Sequence, residues 1–359
     1  MNKLTIFFKN IFKKILNLCN KKLLIILLDL CLIFAIIKVS TGYEEELLKQ
    51  DQEMMYETEP VGIDYYYEEV DMSNISGDMA ITNMIKCYRE NNDLDSVYKA
   101  LENDILELEE IYKENNKHFS FIYQDLFSGF TVSYNADGPI FTASAIKAPA
   151  MIYIYELASQ GKIDLNEQLT YTSNYYSGGT GVLKNKPTNT TYTVEELLQY
   201  TIYNSDNIAY RMLMDKYRRE NILNFWQEKG TKEIFQENTI WGYMTANDAS
   251  IYMRELYNFY LNDEIYGKAL MEHFKKANWK LISDKDNIYN TANKGGWSGT
   301  TIHDVAIVFD ENPYILVILS KLGEQEYYYL FNNTSKKVGI LHEKYWKYKV
   351  DYCSNIKLY

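Results

Sequence analysis

The hydrophobic and polar positions of the chain follow two different periods, and each period predicts one kind of element. Across 95–112 apolar residues recur every three or four positions, which is the spacing of an amphipathic helix. Two runs rich in β-branched and aromatic residues follow at 118–124 and 130–134, and the Gly-containing loop between them predicts a hairpin. We then expect a helix over 144–159, ended by Gly161.

The second half of the chain is first helical and then returns to strands. The helical pattern predicts helices over 194–203, 207–216, 221–227 and 246–261. Turn signals separate three strand-like runs and a last helix, at 291–297, 305–309, 314–320 and 325–348. Five antiparallel strands with the terminal helices on one face, plus an inserted all-helical lobe, account for this order. The sequence therefore predicts an α+β fold.

The first 42 residues differ from the rest in charge and hydropathy. Lysines precede an apolar run over 23–39, which Asp29 interrupts, and acidic residues follow that run. Its length falls between the core of a signal peptide and a full span of about 20 residues. The positive-inside rule places the N-terminus in the cytoplasm. We expect residues 1–42 to form an uncleaved single-pass membrane anchor with the remainder extracellular; the alternative is a secreted protein with a cleaved signal.

The rest of the chain is acidic. The 359 residues carry a net charge of −12 at pH 7 even though the N-terminal segment is strongly basic. Such a body would be repelled by phosphates, so no nucleic-acid partner is expected. Residues 43–93 are acidic and rich in Tyr and Met without a steady period, which predicts a solvated extracellular stalk. We place the folded domain at 94–359, as a monomer.

Cysteines and histidines give no sign of a metal centre. Cys19 and Cys31 lie in the N-terminal segment. Cys87 and Cys353 are far apart in sequence; we expect free thiols, with a disulfide outside the cell as the alternative. The four histidines are scattered without metal-ligand spacing: His118, His273, His303 and His342. No metal or organic cofactor is indicated.

A serine followed by a lysine one helical turn later is a way to build an activated hydroxyl. Such pairs begin at Ser96, Ser144 and Ser159, but only Ser144 follows a strand pair and opens an apolar helix. There Lys147 can reach the hydroxyl, and a lysine desolvated between two lobes can act as a base. The alternative is that Ser144 only caps the helix. A rival nucleophile, Ser298, lacks the full G-x-S-x-G context.

Two further motifs complete a candidate acyl-transfer site. Ser205-Asp-Asn207 lies between two apolar helices; Ser205 would relay a proton and Asn207 would hold a substrate amide, and an ordinary helix N-cap is the alternative. Lys294-Gly-Gly-Trp297 lies in a predicted strand. Two glycines weaken a strand unless something approaches its backbone closely, so a bound acyl group is expected there, with a bulge or turn as the alternative.

With these motifs in this order, the chain from about Leu94 onward resembles the class A β-lactamase-like branch of the penicillin-recognising serine hydrolases. Flanking segments agree with the family pattern: 141–147, 192–198, 205–209, 245–249 and 304–308. The resemblance implies a β-lactamase/transpeptidase-like fold. It also implies catalytic roles for the nucleophile, its base, a proton relay and an oxyanion-hole donor, which would be Ser144, Lys147, Ser205 and Trp297. The implied substrate-binding residues are Asn207, Lys294 and Gly296.

In that family the oxyanion hole consists of backbone N–H groups, here those of Ser144 and Trp297. The chain departs from the pattern twice. Gly295 stands where the family carries Ser or Thr, so a hydroxyl for the substrate carboxylate is missing, which weakens β-lactam binding by about 1 kcal/mol. The E-x-x-L-N loop, whose glutamate activates the deacylating water, is also absent; Glu228, Glu233 and Glu237 are the available substitutes, although solvated loop charges are the simpler interpretation.

These departures shape the expected function. We expect a membrane-anchored serine hydrolase that is acylated on Ser144 by β-lactams or by D-Ala-D-Ala-like peptides and that deacylates slowly. The partners would be a β-lactam or a peptidoglycan stem peptide and the cell membrane. One alternative is a D,D-peptidase acting on peptidoglycan stems, which uses the same residues without the loop glutamate. The other is a non-catalytic envelope protein that retains the fold.

Overall fold

An antiparallel sheet of six strands organises the part of the chain that can be described. The structure is a computed structural model that describes residues 62–68, 86–88, 93–113, 119–232, 240–283, 289–322 and 328–355, all within the unit Pro60–Tyr359. Its strands are β1 (Ile63–Tyr67), β2 (Phe119–Asp125), β3 (Phe130–Tyr134), β4 (Ile140–Phe141), β5 (Gln168–Tyr171), β6 (Thr190–Thr193), β7 (Tyr243–Met244), β8 (Asn290–Trp297), β9 (Ile302–Phe309) and β10 (Tyr314–Ser320).

The helices enclose this sheet. They are α1 (Leu94–Lys113), α2 (Lys147–Ser159), α3 (Val194–Tyr203), α4 (Asn207–Tyr217), α5 (Arg219–Glu228), α6 (Ala246–Asn262), α7 (Tyr266–Lys275) and α8 (Tyr328–Asn355). The strand order is β1-β3-β2-β10-β9-β8, with antiparallel neighbours throughout. The α+β prediction is confirmed, and its five strands are joined by a sixth, β1.

The central strands are buried on both faces, which explains why they read as nearly continuous apolar runs. In β2 the side chains of Phe121 and Tyr123 enter one core cluster and that of Ile122 enters the other. The first cluster holds α1 and α8, so the terminal helices share one face of the sheet as predicted. The second holds α2, α6 and the helical lobe. The seam between the sheet and the lobe contains the three motifs.

Local capping explains why helices start where the sequence places them. The Thr193 hydroxyl accepts from the backbone N–H of Glu196 at 3.1 Å, and the Glu196 carboxylate accepts from the Thr193 N–H. Thr245 and Asp248 form the same reciprocal capping box at α6. Such boxes satisfy N–H groups that have no partner inside the helix.

The acidic segment is not a stalk throughout. Residues 63–67, inside the predicted stalk over 43–93, form β1 and pair with β3 at the sheet edge. The Tyr65 ring stacks on Tyr98 of α1 with centroids 4.6 Å apart. The tyrosines of this segment therefore pack half-buried against the domain, and the stalk prediction is wrong for β1. The domain begins before residue 94.

A disulfide joins the same segment to the last helix. Cys87 and Cys353 are bonded across 266 residues of sequence, so the expectation of free thiols is wrong for this pair. The pairing is possible because α8 runs to Asn355, beyond the predicted end at residue 348, and brings Cys353 to residues 86–88. Both sulfurs lie in the core beside α1 and α8.

Some predictions fall on residues that the structure does not describe. The anchor over 1–42, Cys19, Cys31, His118, Glu233 and Glu237 all lie outside the described ranges. Within those ranges no helix is long and apolar enough to cross a membrane. The same residues contain no group of three or more His, Cys, Asp or Glu side chains arranged to hold a metal ion.

Candidate active site

Ser144 lies in a 3₁₀ turn, residues Ala143–Ile146, which leads directly into α2. The predicted helix from residue 144 therefore begins as a tighter spiral. In a 3₁₀ turn the side chains at i and i+3 eclipse each other, and Lys147 Nζ lies 3.1 Å from Ser144 Oγ. No side-chain cap bond is made at either end of the turn, so the interpretation of Ser144 as a simple helix cap is not supported.

Lys147 is fully buried, and four oxygens surround its amine. Two are strict acceptors: the Ser205 carbonyl and Asn207 Oδ1, each 2.7 Å from Nζ. The other two are hydroxyls, Ser144 Oγ at 3.1 Å and Ser205 Oγ at 3.2 Å. A neutral amine has two hydrogens and one lone pair. The two strict acceptors use both hydrogens, which leaves the lone pair for a hydroxyl proton.

The electrostatics favour that neutral form. Burial holds the pKa of Lys147 well below its ordinary value, and the neighbouring Lys294 ammonium lowers it further, against a smaller opposite effect of Asp206. The rings of Tyr210 and Trp241 lie 5.7 Å and 5.5 Å from Nζ. Lys147 is therefore suited to act as a base toward Ser144.

The second motif supplies both a hydroxyl that faces the site and a helix cap. Ser205 adopts a left-handed φ of 51°, a conformation that is uncommon for a residue with a Cβ. Its Oγ lies between two amines, 3.2 Å from Lys147 Nζ and 3.1 Å from Lys294 Nζ. Asp206 caps α4 by accepting from the N–H groups of Ile208 and Ala209. The N-cap interpretation is therefore right for Asp206, while the Ser205 hydroxyl faces the site.

Asn207 and a glycine-rich loop hold this arrangement together. Asn207 accepts from Lys147 through Oδ1, and its Nδ2 donates to the Gly178 carbonyl at 2.9 Å. The Thr180 hydroxyl donates to the Ser205 carbonyl at 2.7 Å. A Cβ on Gly179 would lie 2.8 Å from Asn207 Nδ2. Sequence reasoning missed this loop, although the run Gly178-Gly-Thr-Gly181 is a signal of close backbone approach.

Lys294 of β8 extends the polar chain to the cleft. Its amine donates to Ser205 Oγ at 3.1 Å and to the Gly295 carbonyl at 2.9 Å. Burial lowers its pKa to about 8, partly opposed by the Asp304 carboxylate. Lys294 is therefore mostly protonated at neutral pH. The Ser205 hydroxyl thus lies between the two buried lysine amines.

Gly296 lets β8 pass directly against the nucleophile turn. A Cβ at this position would lie 2.8 Å from the Ala145 nitrogen and 3.1 Å from the Ser144 nitrogen. Trp297 follows at the end of the strand, with its side chain 55% exposed. Ser144, Lys294 and Trp297 line one cleft of about 430 Å³. The structure thus brings the residues of all three motifs to one place, as predicted from their order.

No described carboxylate occupies the place of a deacylating base. In the part of the chain that is described, neither Ser144 nor Lys147 forms a hydrogen bond to Asp or Glu. Aromatic rings flank Lys147 instead. Glu228 is an exposed residue at the end of α5. Sequence reasoning did not anticipate Trp241 or Tyr210 beside Lys147, because their approach depends on tertiary packing.

Solved structures with this fold include penicillin-binding proteins and β-lactamases. A PBP-A point mutant, captured as an acyl-enzyme complex with penicillin G, superposes with a TM-score of 0.61 at 19% identity, over 67% of this chain and 96% of that one. The β-lactamase from Sphaerobacter thermophilus gives a TM-score of 0.59 at 15% identity, over 67% and 98%. That from Chitinophaga pinensis gives 0.58 at 17%, over 68% and 98%.

The sequence comparisons identify the family to which the chain belongs. No curated protein sequence matches this chain. The model of the "Beta-lactamase enzyme family" matches residues 100–340, which is more than half of the chain and includes all three motifs. The match and the fold support a serine hydrolase. The chain is a member of the β-lactamase enzyme family.

Proposed function

We propose that Ser144 of this serine hydrolase attacks the carbonyl of a β-lactam or of a D-Ala-D-Ala-like peptide and forms an acyl-enzyme. One observation carries the proposal: the Lys147 amine is buried, its two carbonyl acceptors account for the hydrogens of the neutral form, and its lone pair is left for the Ser144 hydroxyl at 3.1 Å. The PBP-A neighbour is described as a penicillin G acyl-enzyme, which is consistent with this reaction in the same fold.

Each proton has a carrier in the proposed reaction. Lys147 takes the hydroxyl proton while Ser144 Oγ bonds to the carbonyl carbon, and the backbone N–H groups of Ser144 and Trp297 stabilise the oxyanion. As the C–N bond breaks, the Ser205 hydroxyl donates its proton to the leaving nitrogen. Ser205 regains a proton from Lys147, whose amine is 3.2 Å away. The ester on Ser144 and the neutral amine of Lys147 result.

We further propose that this ester is hydrolysed slowly. A positioned general base accelerates such a step by roughly 10²–10⁴-fold, and among the described residues no carboxylate forms a hydrogen bond to Ser144 or Lys147. Slow hydrolysis agrees with a penicillin-binding or D,D-peptidase role better than with rapid β-lactam destruction. The D,D-peptidase is the second candidate, because it uses the same nucleophile, base and relay.

The proposed location is outside the cytoplasm, with the N-terminal segment as a membrane anchor. The basic and apolar pattern of residues 1–42 supports the anchor. The disulfide between Cys87 and Cys353 supports an oxidising compartment, since such bonds are rare in the cytosol. Protease accessibility of the domain on intact cells tests this location; a domain that resists until the cells are lysed would contradict it.

A time course distinguishes the candidate activities. The full-length protein is incubated with penicillin G or with a stem peptide ending in D-Ala-D-Ala, and intact mass and free product are followed. A persistent penicillin adduct with release of D-Ala from the peptide is expected for the peptidase. Rapid loss of the adduct with hydrolysed drug would contradict slow deacylation. Absence of both adduct and D-Ala release would contradict the proposed acyl transfer.

A further inference from the structure

Gly295 has an aromatic neighbour that explains why it carries no side chain. A Cβ built on Gly295 would lie 2.6 Å from Cε3 and 3.0 Å from Cζ3 of Trp279. The indole therefore occupies the space that a serine or threonine side chain needs at this position. The indole ring is rigid, so it cannot adjust its shape to relieve a contact this short. Gly295 and Trp279 fit together because position 295 has no side chain.

The indole is held in place by its own segment. The Trp279 carbonyl accepts from Asn293 Nδ2 at 3.2 Å. Two residues later, the N–H groups of Leu281 and Ile282 donate to Asp304 Oδ2 at 2.7 Å and 3.0 Å. Asn293 and Asp304 are fully buried and bonded to each other at 2.8 Å. These hydrogen bonds fix the segment to β8 and β9, so Trp279 has a fixed position in the cleft wall.

The cleft beside this wall is poorly equipped for a carboxylate. Lys294 is the one cation among the described residues that line it. Its ammonium donates to Ser205 and to the Gly295 carbonyl, which leaves a single N–H for a ligand. Position 295 supplies no hydroxyl, and the face of an indole carries partial negative charge. An anion placed here would lose water without gaining full compensation, whereas a neutral or planar group packs favourably on the ring.

We propose that Trp279 is a specificity-determining residue and that this site reacts with acyl donors whose leaving side carries no free carboxylate at least as well as with donors that carry one. The inference rests on the proposed acylation of Ser144 and names the substrate class of that reaction. An ester, an amide or a hydrocarbon group would lie against Trp279, next to Lys294.

Penicillin G and its methyl ester are a matched pair of probes, since they differ only in that carboxylate. The measurement is the second-order rate of adduct formation by intact mass, with the Ser144→Ala variant as the blank. For the wild-type full-length protein we expect the two rates to agree within about threefold, or the ester to be faster, since the hydrogen bond that rewards the acid is missing. A free acid that reacts more than about thirtyfold faster would overturn the inference.

Two variants test the role of Trp279 itself. Trp279→Ala combined with Gly295→Thr makes room for a hydroxyl, and we expect the rate ratio to move toward the free acid by about tenfold or more. Gly295→Thr alone clashes with the indole and should slow both probes. Gly299→Thr is the matched control, since a Cβ there meets nothing within 4 Å. An unchanged ratio in the folded double variant would overturn the inference.

The outcomes separate this inference from the proposed function. Adducts from the free acid alone would contradict the substrate class and leave the acylation of Ser144 intact. Adducts from neither probe, in the wild type and in every variant, would contradict the acylation itself and with it the inference. If the double variant does not fold, Trp279→Ala alone and the wild-type ratio still decide the question.

Discussion

Lys147 Nζ donates to Asn207 Oδ1 at 2.7 Å, so an amide and not a carboxylate lies beside the buried base. The distinction matters for protonation. A carboxylate at this distance would stabilise the ammonium form and raise the pKa of Lys147, whereas the amide accepts a hydrogen bond from either form. Burial lowers the pKa of Lys147, and a carboxylate at position 207 would oppose that effect.

Asn207→Asp should therefore weaken Lys147 as a base, although the side chain at position 207 keeps almost the same shape. We expect acylation at neutral pH to fall, and the acid limb of its pH–rate profile to move up by about 1–3 pH units. Asn185→Asp is the control, because Asn185 is exposed in a short turn outside the site. The rate of adduct formation between pH 5 and 10 is the measurement; an acid limb at the wild-type position would contradict the role of Lys147 as base.

Lys294 should set the alkaline side of the same profile. Its pKa of about 8 means that the cation is lost as the pH rises through that value. Because that cation donates to the Ser205 hydroxyl, acylation should rise as Lys147 loses its proton and fall above pH 8, which gives a bell shape. In Lys294→Ala the fall above pH 8 should disappear together with most of the activity. An alkaline limb that remains in this variant would show that another group causes it.

A buried histidine behind the nucleophile should make stability depend on pH. His303 Nε2 donates to the Phe141 carbonyl at 2.7 Å, and its Nδ1 accepts from the Ser320 N–H at 3.1 Å. That pattern requires the neutral ring, and burial lowers the pKa of His303 to about 4. The unfolded chain binds a proton at its ordinary pKa of 6.5, so the native state is disfavoured as the pH falls from 6.5 to 4.

The expected loss over this window is about 3 kcal/mol of unfolding free energy, from a shift of roughly 2.5 pKa units at 1.36 kcal/mol each. Urea unfolding of the wild type and of His303→Gln at pH 4, 5 and 7 measures it. Glutamine offers a donor and an acceptor without titrating, so the variant should lose this part of the slope. Parallel curves for the two proteins would contradict the assignment.

The disulfide should contribute to stability and not to chemistry. Cys87–Cys353 closes a loop of more than 200 residues, and neither cysteine lines the cleft. Reduction should lower the free energy of unfolding by about 3–5 kcal/mol and leave the acylation rate unchanged. The double variant Cys87→Ser with Cys353→Ser is the control and should not respond to reductant. A wild-type transition that ignores reductant would contradict the bond.

Local signals explain which elements the sequence could predict. Helix α3 and strand β3 have the bounds expected from the sequence, because capping residues and turn residues define their ends. Helix α7 was not predicted, although Asp263 accepts from the N–H of Tyr266 at 2.6 Å and marks its start. Strand β1 and the disulfide were not predicted, because each depends on a partner far away in sequence.

The residues of the site also divide into those that the sequence could predict and those that it could not. Ser144, Lys147 and Ser205 could be found because their motifs are short and ordered along the chain. The aromatic residues near them could not, since a lone tryptophan carries no mark of its tertiary neighbours. Trp241 reaches Lys147 and Trp279 covers Gly295 only after the lobe and the sheet have packed together.

The central claim is that Ser144 is the acylated nucleophile, and the chain carries its own control. Ser159 and Lys162 repeat the Ser-x-x-Lys spacing at the end of α2, but the Ser159 hydroxyl donates to the Glu156 carbonyl and Lys162 is exposed. Intact mass after penicillin G treatment compares the wild type, Ser144→Ala and Ser159→Ala. The account predicts one adduct on the wild type and on Ser159→Ala, and none on Ser144→Ala. An adduct that persists in Ser144→Ala, or none on the wild type, would contradict it.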